Sequence, residues 1–197
     1  MADGATGPME SLSSWWRVAA IVTMAAGFAV LILLTVKAYQ NAPPIPDKFV
    51  DPAGAVVFTA DDVIAGQQVF LKHGLMDNGT IWGHGGYLGP DFSAQTLHIL
   101  ALDLADRIAR ERLSRAYTDL TPEERSAVEG AVALDLKANR YDPASGTLAL
   151  PAGAAESFND QVEYWTRYFE GPERNGGLAQ ETVSDPRELR QLTAFFA

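Results

Sequence analysis

The segment TIWGHGGYLGPD, residues 80–91, interrupts an otherwise helical pattern with four glycines and a proline. Glycine tolerates positive φ and lets other atoms approach the backbone closely, whereas proline fixes its own φ and favours an extended residue before it. We therefore predict a tightly folded loop, held in place by the side chains of Trp82 and Tyr87. Its carbonyl groups are suitable ligands for a hard cation such as Ca²⁺, but a packed turn without a ligand explains the same spacing more simply.

Composition and charge exclude several classes of protein. The 197 residues carry a net charge of −10, which argues against nucleic acid and against an anionic lipid surface as partners, because both attract Lys and Arg. Apolar residues make up 47% of the chain, so a packed core is expected. The sequence has no cysteine, which excludes disulfides, iron–sulfur clusters and covalent haem attachment through a C-x-x-C-H motif.

An apolar segment near the N-terminus predicts a membrane span at residues 18–37, after a short disordered leader at 1–17. Its uncharged part, Val18 to Val36, would extend about 28 Å as a helix, close to the hydrocarbon thickness of about 30 Å. A cleaved signal peptide is the competing interpretation, but its apolar region is normally shorter, about 7–15 residues. The acidic remainder has few of the positive charges that retain loops in the cytoplasm, so we expect residues 38–190 on the outer side.

The rest of the chain is predicted to be mainly α-helical, with a Pro-rich linker at 38–58 and a folded domain at 59–184. Polar start signals and apolar residues at spacings of three and four predict helices over 59–73, 93–117, 121–139 and 154–170. A turn at 142–146 between two short apolar segments allows a small hairpin.

The last segment, residues 185–197, repeats a helix start signal and then becomes increasingly apolar. It has no glycine cap and no terminal charge cluster, which is atypical of a helix end. We therefore expect the sequence to be a fragment that ends at the start of a second transmembrane helix.

No catalytic centre is predicted from local sequence. The three histidines, His73, His84 and His98, match no short metal-binding spacing. A positive charge at His73 would suit the end of a helix, and His98 is interpreted as a structural imidazole. His84 is the most interesting of the three because glycines surround it.

Several sequence blocks together resemble a known family. They are AGQQVFLKHG at 65–74, TIWGHG at 80–85, Tyr87, GPD at 89–91 and Leu97-His98. These blocks resemble the N-terminal region of the quinol-dependent nitric oxide reductases. The ending LTAFFA at 192–197 also looks like that family's entry into its second transmembrane helix.

The resemblance implies a longer protein of the inner (cytoplasmic) membrane. In that family one chain fuses a cytochrome c-like domain, on the periplasmic or outer side, to a bundle of membrane helices. The bundle holds haem b, haem b₃ and a non-haem iron, and it reduces nitric oxide to nitrous oxide with electrons from quinol. The resemblance thus implies membrane lipid, quinol and the downstream catalytic membrane domain of the same protein as partners, and no nucleic acid.

The resemblance also assigns two short motifs. Compared with the haem-bearing small subunit of the cytochrome c-dependent enzymes, LMDNG at 75–79 stands where C-x-x-C-H would be, so a haemless domain is expected. The same small subunit contains a G-x-G-x-Y segment that offers backbone oxygens to calcium, which indicates the carbonyls of Gly85 and Tyr87 as metal ligands here. The remaining calcium ligands and all the ligands of the haems and iron would lie outside this chain. Ile99 departs from the family, in which a basic residue is expected.

We therefore expect a structural domain without catalytic residues of its own. It would cap the catalytic membrane core, help to order the haem propionates and shield the quinol site. The alternative is a membrane-anchored helical sensor or ligand-binding module, with no redox role and with the glycine-rich loop as its pocket. A reductase would need about a dozen further spans rich in inward-facing histidines, since polar residues within membranes are functional by default.

Overall fold

The computed structural model describes residues 13–171 and 175–197. The chain divides into two compact units, Met1–Pro44 and Ile45–Ala197. The first contains helix α1, Ser14–Gln40, whose N-cap Ser13 accepts a hydrogen bond from the backbone N–H of Trp15. Helix α1 is long and apolar enough to cross a membrane. It begins inside the predicted leader, most of which lies outside the described residues.

Five helices form most of the second unit, and they match the predicted ones closely. They are α2 (Ala60–Lys72), α3 (Phe92–Leu113), α4 (Pro122–Lys137), α5 (Ala154–Glu170) and α6 (Pro186–Phe196). Reciprocal capping boxes begin two of them, because Thr59 pairs with Asp62 and Thr121 with Glu124. The predicted left-handed residue after α2 is also present, since Gly74 has φ 61°.

A four-stranded sheet packs beside the helices and starts earlier in the chain than predicted. Its strands are β1 (Lys48–Val50), β2 (Val56–Thr59), β5 (Tyr141–Asp142) and β6 (Thr147–Ala149), in the order β2-β1-β6-β5. The pair β5–β6 is the predicted hairpin, whereas β1 runs parallel to β6. Strand β1 and most of β2 lie in residues 38–58, which were assigned to the linker, so the folded unit includes part of that segment.

Helices α2 and α6 cross at a glycine, and this crossing organises the core. A Cβ atom on Gly66 would lie 2.0 Å from the carbonyl oxygen of Gln191, so the two backbones touch directly. Next to the crossing lies an aromatic cluster in which every side chain is almost completely buried: Phe70, Phe92, Trp165, Phe169 and Phe196. Edge-to-face and stacked contacts join these rings and add to the stability gained from burial alone.

Helix α6, which covers most of residues 185–197, packs into this core. Leu189, Leu192 and Phe196 are buried in the aromatic cluster, and Ala194 packs against Phe58 and Phe158. These apolar residues complete the interior of the second unit, and the expected second transmembrane helix stays a prediction. Their spacing is that of an amphipathic helix with one buried face.

Candidate functional site

The glycine-rich segment forms a small hairpin rather than an irregular loop. Strand β3 (Thr80–Ile81) pairs antiparallel with β4 (His84–Gly85), and the turn residues Trp82 and Gly83 have φ of 52° and 74°. Positive φ at both central residues is the geometry of a type I′ turn, which matches the twist of a hairpin. Glycine adopts it easily, whereas a bulky residue such as Trp82 does so only under strain. The turn thus holds an aromatic side chain at its tip.

The carboxylate of Asp91 holds this turn in place through hydrogen bonds. Its carboxylate accepts four hydrogen bonds of 2.6 to 2.9 Å, from the side chains of Thr80 and Ser93 and from the backbone N–H groups of Gly83 and Ala94. Burial alone would raise the pKa of Asp91, but these four donors outweigh it and lower the pKa to about 2. Asp91 is therefore ionised at neutral pH, and it also caps helix α3.

Backbone contacts hold the other half of the segment against residues 76–78. The N–H of Gly86 donates to the carbonyl of Met76 at 2.6 Å, and the N–H groups of Leu88 and Gly89 donate to the carbonyl of Asn78. A Cβ atom on Gly86 would lie 2.2 Å from the carbonyl oxygen of Asp77, so only glycine fits there.

The side chains of Trp82 and Tyr87 do not pin the segment, contrary to the prediction. Trp82 is 80% exposed, Tyr87 88% and Leu88 75%. Hydrogen bonds to Asp91 and to backbone carbonyls fix the fold of the segment, which leaves its large side chains free. The arrangement therefore presents two aromatic residues and a leucine to the surroundings on a rigid support.

Asn78 connects the glycine-rich segment to the rest of the core. Its side-chain amide donates to the carbonyls of Asn175 and Gly176 at 3.1 and 2.8 Å, and its oxygen accepts a hydrogen bond from the hydroxyl of Tyr168 at 3.0 Å. Burial, with a smaller effect of Tyr164, raises the pKa of Tyr168 to about 12, so this hydroxyl remains a donor at neutral pH. Nothing in the sequence pattern indicated this role of Asn78.

The positions that correspond to a haem-attachment motif do not fit a haem. Leu75, at the first cysteine position, is completely buried, and Asn78, at the second, makes the hydrogen bonds above. At the histidine position, a Cβ atom on Gly79 would lie 2.4 Å from the carbonyl oxygen of Pro90 and 2.6 Å from the ring of Phe92. A histidine side chain cannot start from this backbone, because the carbonyl of Pro90 and the ring of Phe92 occupy the position of its Cβ atom.

The two carbonyl groups proposed as calcium ligands fit a metal site only in part. The carbonyl groups of Gly85 and Tyr87 are free to bind a ligand in one respect. Apart from the strand pairs, no hydrogen bond between described residues uses either of them. Asp91, a nearby carboxylate, is already saturated by its four donors. Ca²⁺ takes six to eight oxygen ligands. The segment can therefore contribute two oxygens to a site that needs several more from elsewhere.

The three histidines form no metal site in the described part of the chain, where no group of three or more His, Asp or Glu side chains converges. His73 lies 3.0 Å from a carboxylate oxygen of Glu188, which also binds Lys72, so it ties α2 to α6. His84 contacts the carbonyl of Trp82 through Nδ1 at 2.8 Å. His98 is exposed, and no hydrogen bond between described residues involves its ring, so the predicted structural imidazole is not seen there.

Comparison with known proteins identifies the family of this chain. The family model for the cytochrome c-like domain of the nitric oxide reductase NorB matches residues 46–197. A search of curated proteins found no match. The matched segment coincides almost completely with the second compact unit, Ile45–Ala197, and it includes helix α6. The chain therefore belongs to the NorB family of nitric oxide reductases, and residues 46–197 are its cytochrome c-like domain.

Proposed function

We propose that this chain is the N-terminal part of a quinol-dependent nitric oxide reductase and that its cytochrome c-like domain has a structural role without haem. The observation that carries the proposal is the blocked haem position, where Phe92 and Pro90 leave no room for a side chain at Gly79. The absence of cysteine supports it independently, because a haem cannot be attached covalently through C-x-x-C-H.

The proposed reaction follows from this loss. A domain without haem cannot pass electrons from a soluble cytochrome to the membrane core, so the electrons must reach the core directly. Quinol supplies two electrons and two protons, which balances the reaction of two NO and one quinol to N₂O, water and quinone. Haem b, haem b₃ and the non-haem iron would perform this chemistry, on ligands that lie outside the residues of this chain.

The contribution of this chain would be anchoring and docking. Helix α1 supports membrane anchoring by its length and apolar composition, and we place the domain on the periplasmic or outer side of the inner membrane. Exposed aromatic residues on a rigid support are typical of interface anchors. Trp82, Tyr87 and Leu88 would thus contact the catalytic membrane core, which the domain caps, while the carbonyls of Gly85 and Tyr87 contribute to a shared Ca²⁺ site.

The reaction can be tested on the full-length product, purified in detergent from membranes of haem-replete cells. We expect two b-type haem signals, haem that is fully extractable by acid acetone, and nitric oxide consumption driven by quinol. Reduced cytochrome c should not replace quinol. Activity with cytochrome c alone would overturn the quinol assignment, and a colourless preparation would favour the sensor alternative.

The calcium proposal needs a variant that moves a backbone carbonyl. Gly85 has φ 141° and an added Cβ would lie 2.4 Å from the carbonyl oxygen of Gly79, so Gly85→Ala must displace the local backbone. We expect this variant of the full-length enzyme to lose bound calcium in metal analysis. Gly54→Ala is the matched control, because Gly54 also has positive φ but an added Cβ meets no atom within 4 Å. Equal calcium contents in the two variants would contradict the assignment.

A further inference from the structure

An apolar groove of about 660 Å³ lies between helices α3 and α4, and among the described residues none of the glycine-rich segment lines it. Its wall includes small residues of both helices, Ala101, Ala105 and Ala133. Leu97 and Leu102 also line the groove, and they are 54% and 44% exposed. Large aliphatic side chains that remain exposed beside an apolar groove are typical of a protein–protein contact.

The first half of α3 lacks the charged residues that a solvated helix face normally carries. Residues 92–102 contain no Asp, Glu, Lys or Arg. Several residues of this stretch are nevertheless exposed: Ala94, Leu97, His98 and Leu102. A helix on a protein surface usually places polar and charged side chains opposite its buried face. This face of α3 is therefore better suited to contact with an apolar surface than with water.

Two charged side chains, Glu129 and Lys137, line the groove in the described part of the chain, and both belong to α4. They lie eight positions apart, about 12 Å along the helix axis, with Ala133 halfway between them. Residues at intervals of four form one ridge on a helix surface, so all three face in nearly the same direction. Reversing the helix exchanges the two charges. A second α4, packed antiparallel with the Ala133 residues at the centre, thus brings each Glu129 opposite the Lys137 of the other copy.

A ridge of α3 has a matching pattern of side-chain size. It consists of Leu97, Ala101 and Ala105, which also lie at intervals of four and all line the groove. Antiparallel packing about Ala101 places each Leu97 opposite the Ala105 of the other copy, so a large side chain meets a small one. The same two-fold arrangement therefore suits both helices, one in charge and the other in size.

We propose that the α3–α4 groove is a self-association surface, on which a second copy of this chain packs with its α4 antiparallel. The groove carries one acid and one base, whereas the whole chain has a net charge of −10, so two copies can meet here with little repulsion. Helix α1 is long and apolar enough to cross a membrane, and copies held in one bilayer keep even a weak contact populated. The inference does not depend on the proposed reaction.

Cysteine cross-linking tests the centre of the contact, because the chain has no cysteine of its own. In the 197-residue chain reconstituted in liposomes, Ala133→Cys should form a disulfide-linked dimer on mild oxidation. Leu134→Cys is the matched control, since residue 134 follows on the same helix and is 77% exposed but lies outside the groove. It should cross-link at least about tenfold more slowly, because thiols bridge only when their Cα atoms lie within about 7 Å.

Charge-swapped variants test whether the partner is a second copy. Lys137→Glu leaves two acids on each groove and Glu129→Lys leaves two bases, so each variant should self-associate about tenfold more weakly than the unaltered chain in detergent sedimentation experiments. A mixture of the two variants should regain the original affinity, because each acid then faces a base again. Glu129 also accepts a hydrogen bond from Tyr117, so circular dichroism must confirm that Glu129→Lys stays folded.

Leu97→Gln should also weaken the dimer, whereas Leu134→Gln removes a more exposed leucine outside the groove and should not. Three results would overturn the inference: a chain that stays monomeric at all concentrations, equal cross-linking of the two cysteine variants, and a charge-swapped mixture that binds no more tightly than either variant alone. A dimer that persists in both Leu97→Gln and Lys137→Glu would place the contact outside the groove, for example in α1. A monomer that retains lipid would make lipid the occupant instead.

Discussion

Gly66→Ala tests the direct contact between helices α2 and α6. An added Cβ would lie 2.0 Å from the carbonyl oxygen of Gln191, 2.6 Å from its carbonyl carbon and 2.8 Å from Cβ of Phe195. Two of these three neighbours are backbone atoms, which cannot rotate away as the end of a flexible side chain can. The helices would therefore have to separate by about 1 Å before the methyl group fits.

Two opposing effects set the magnitude. Alanine is favoured over glycine in a helix by about 1 kcal/mol, which stabilises the variant. Separation of the helices weakens the packing of Phe70, Leu192 and Phe196, because a gap of 0.5–1 Å forfeits about a quarter to a half of each atomic contact. Overpacked cores lose about 1–3 kcal/mol and sometimes more. Since this clash involves backbone on both sides, we expect a net destabilisation of about 3 kcal/mol.

Urea unfolding of the 197-residue chain in mild detergent, followed by circular dichroism, measures this effect. Gly130→Ala is the matched control, because Gly130 is also inside a helix but an added Cβ meets no atom within 4 Å. The control should stabilise the domain by about 0.5–1 kcal/mol through helix propensity. If Gly66→Ala leaves stability unchanged or raises it as Gly130→Ala does, the proposed helix crossing is wrong.

Three further predictions concern polar groups. Asp91→Asn should lower the free energy of unfolding by about 1–2 kcal/mol in urea titrations, because one carboxylate oxygen becomes an NH2 group, which cannot accept from the two donors it faces. Since the folded-state pKa of Asp91 is lowered from 3.8 to about 2, its contribution is complete above pH 4 and is lost as the pH falls towards 2. Solvent screening limits this loss to about 1 kcal/mol, and acid titrations of the Asn variant should lack it. Thr121→Ala should cost about 1 kcal/mol in thermal unfolding by removing the α4 cap, whereas Thr118→Ala should be nearly neutral.

Local signals in the sequence predict the helices well. Helix α5 has the predicted bounds, and its apolar residues Phe158, Trp165 and Phe169 are buried, as apolar residues at spacings of three and four predict. The capping boxes and the apolar N-terminal segment are similarly local, because a cap or a span depends on a few consecutive residues. Such features do not require knowledge of which elements meet in space.

Non-local features were missed for a physical reason. Strand β1 has three residues and pairs in parallel with β6, about a hundred positions later, so no short pattern encodes it. In α2 the apolar residue Leu71 is exposed, because the contact face is centred on Gly66, a residue without a side chain. A contact made through backbone leaves no apolar signal in the sequence.

The candidate site was also predicted incompletely, because its contacts join residues that are distant in the sequence. The sequence identified the glycine-rich segment, but it assigned the wrong role to Trp82 and Tyr87, since aromatic residues are usually buried. The two carbonyl groups stay a prediction. Asp91 directly precedes a predicted helix, so a capping role is readable from the sequence. Its hydrogen bonds to Thr80 and Gly83 are not, because these residues lie eight or more positions away.

The blocked haem position has a consequence for the rest of the core. A haem in a cytochrome c-like fold supplies a large apolar surface, and a domain that loses it must fill the same interior with side chains to keep its packing density. The described core is unusually aromatic around Gly79, where Phe92 stacks at 4.7 Å on Phe196 and contacts Trp165 at 5.4 Å. Reintroducing Cys and His at residues 75, 78 and 79 would therefore not restore haem binding. The backbone at Pro90 would have to move and Phe92 would have to become smaller at the same time, and these changes would remove packing that now stabilises the domain.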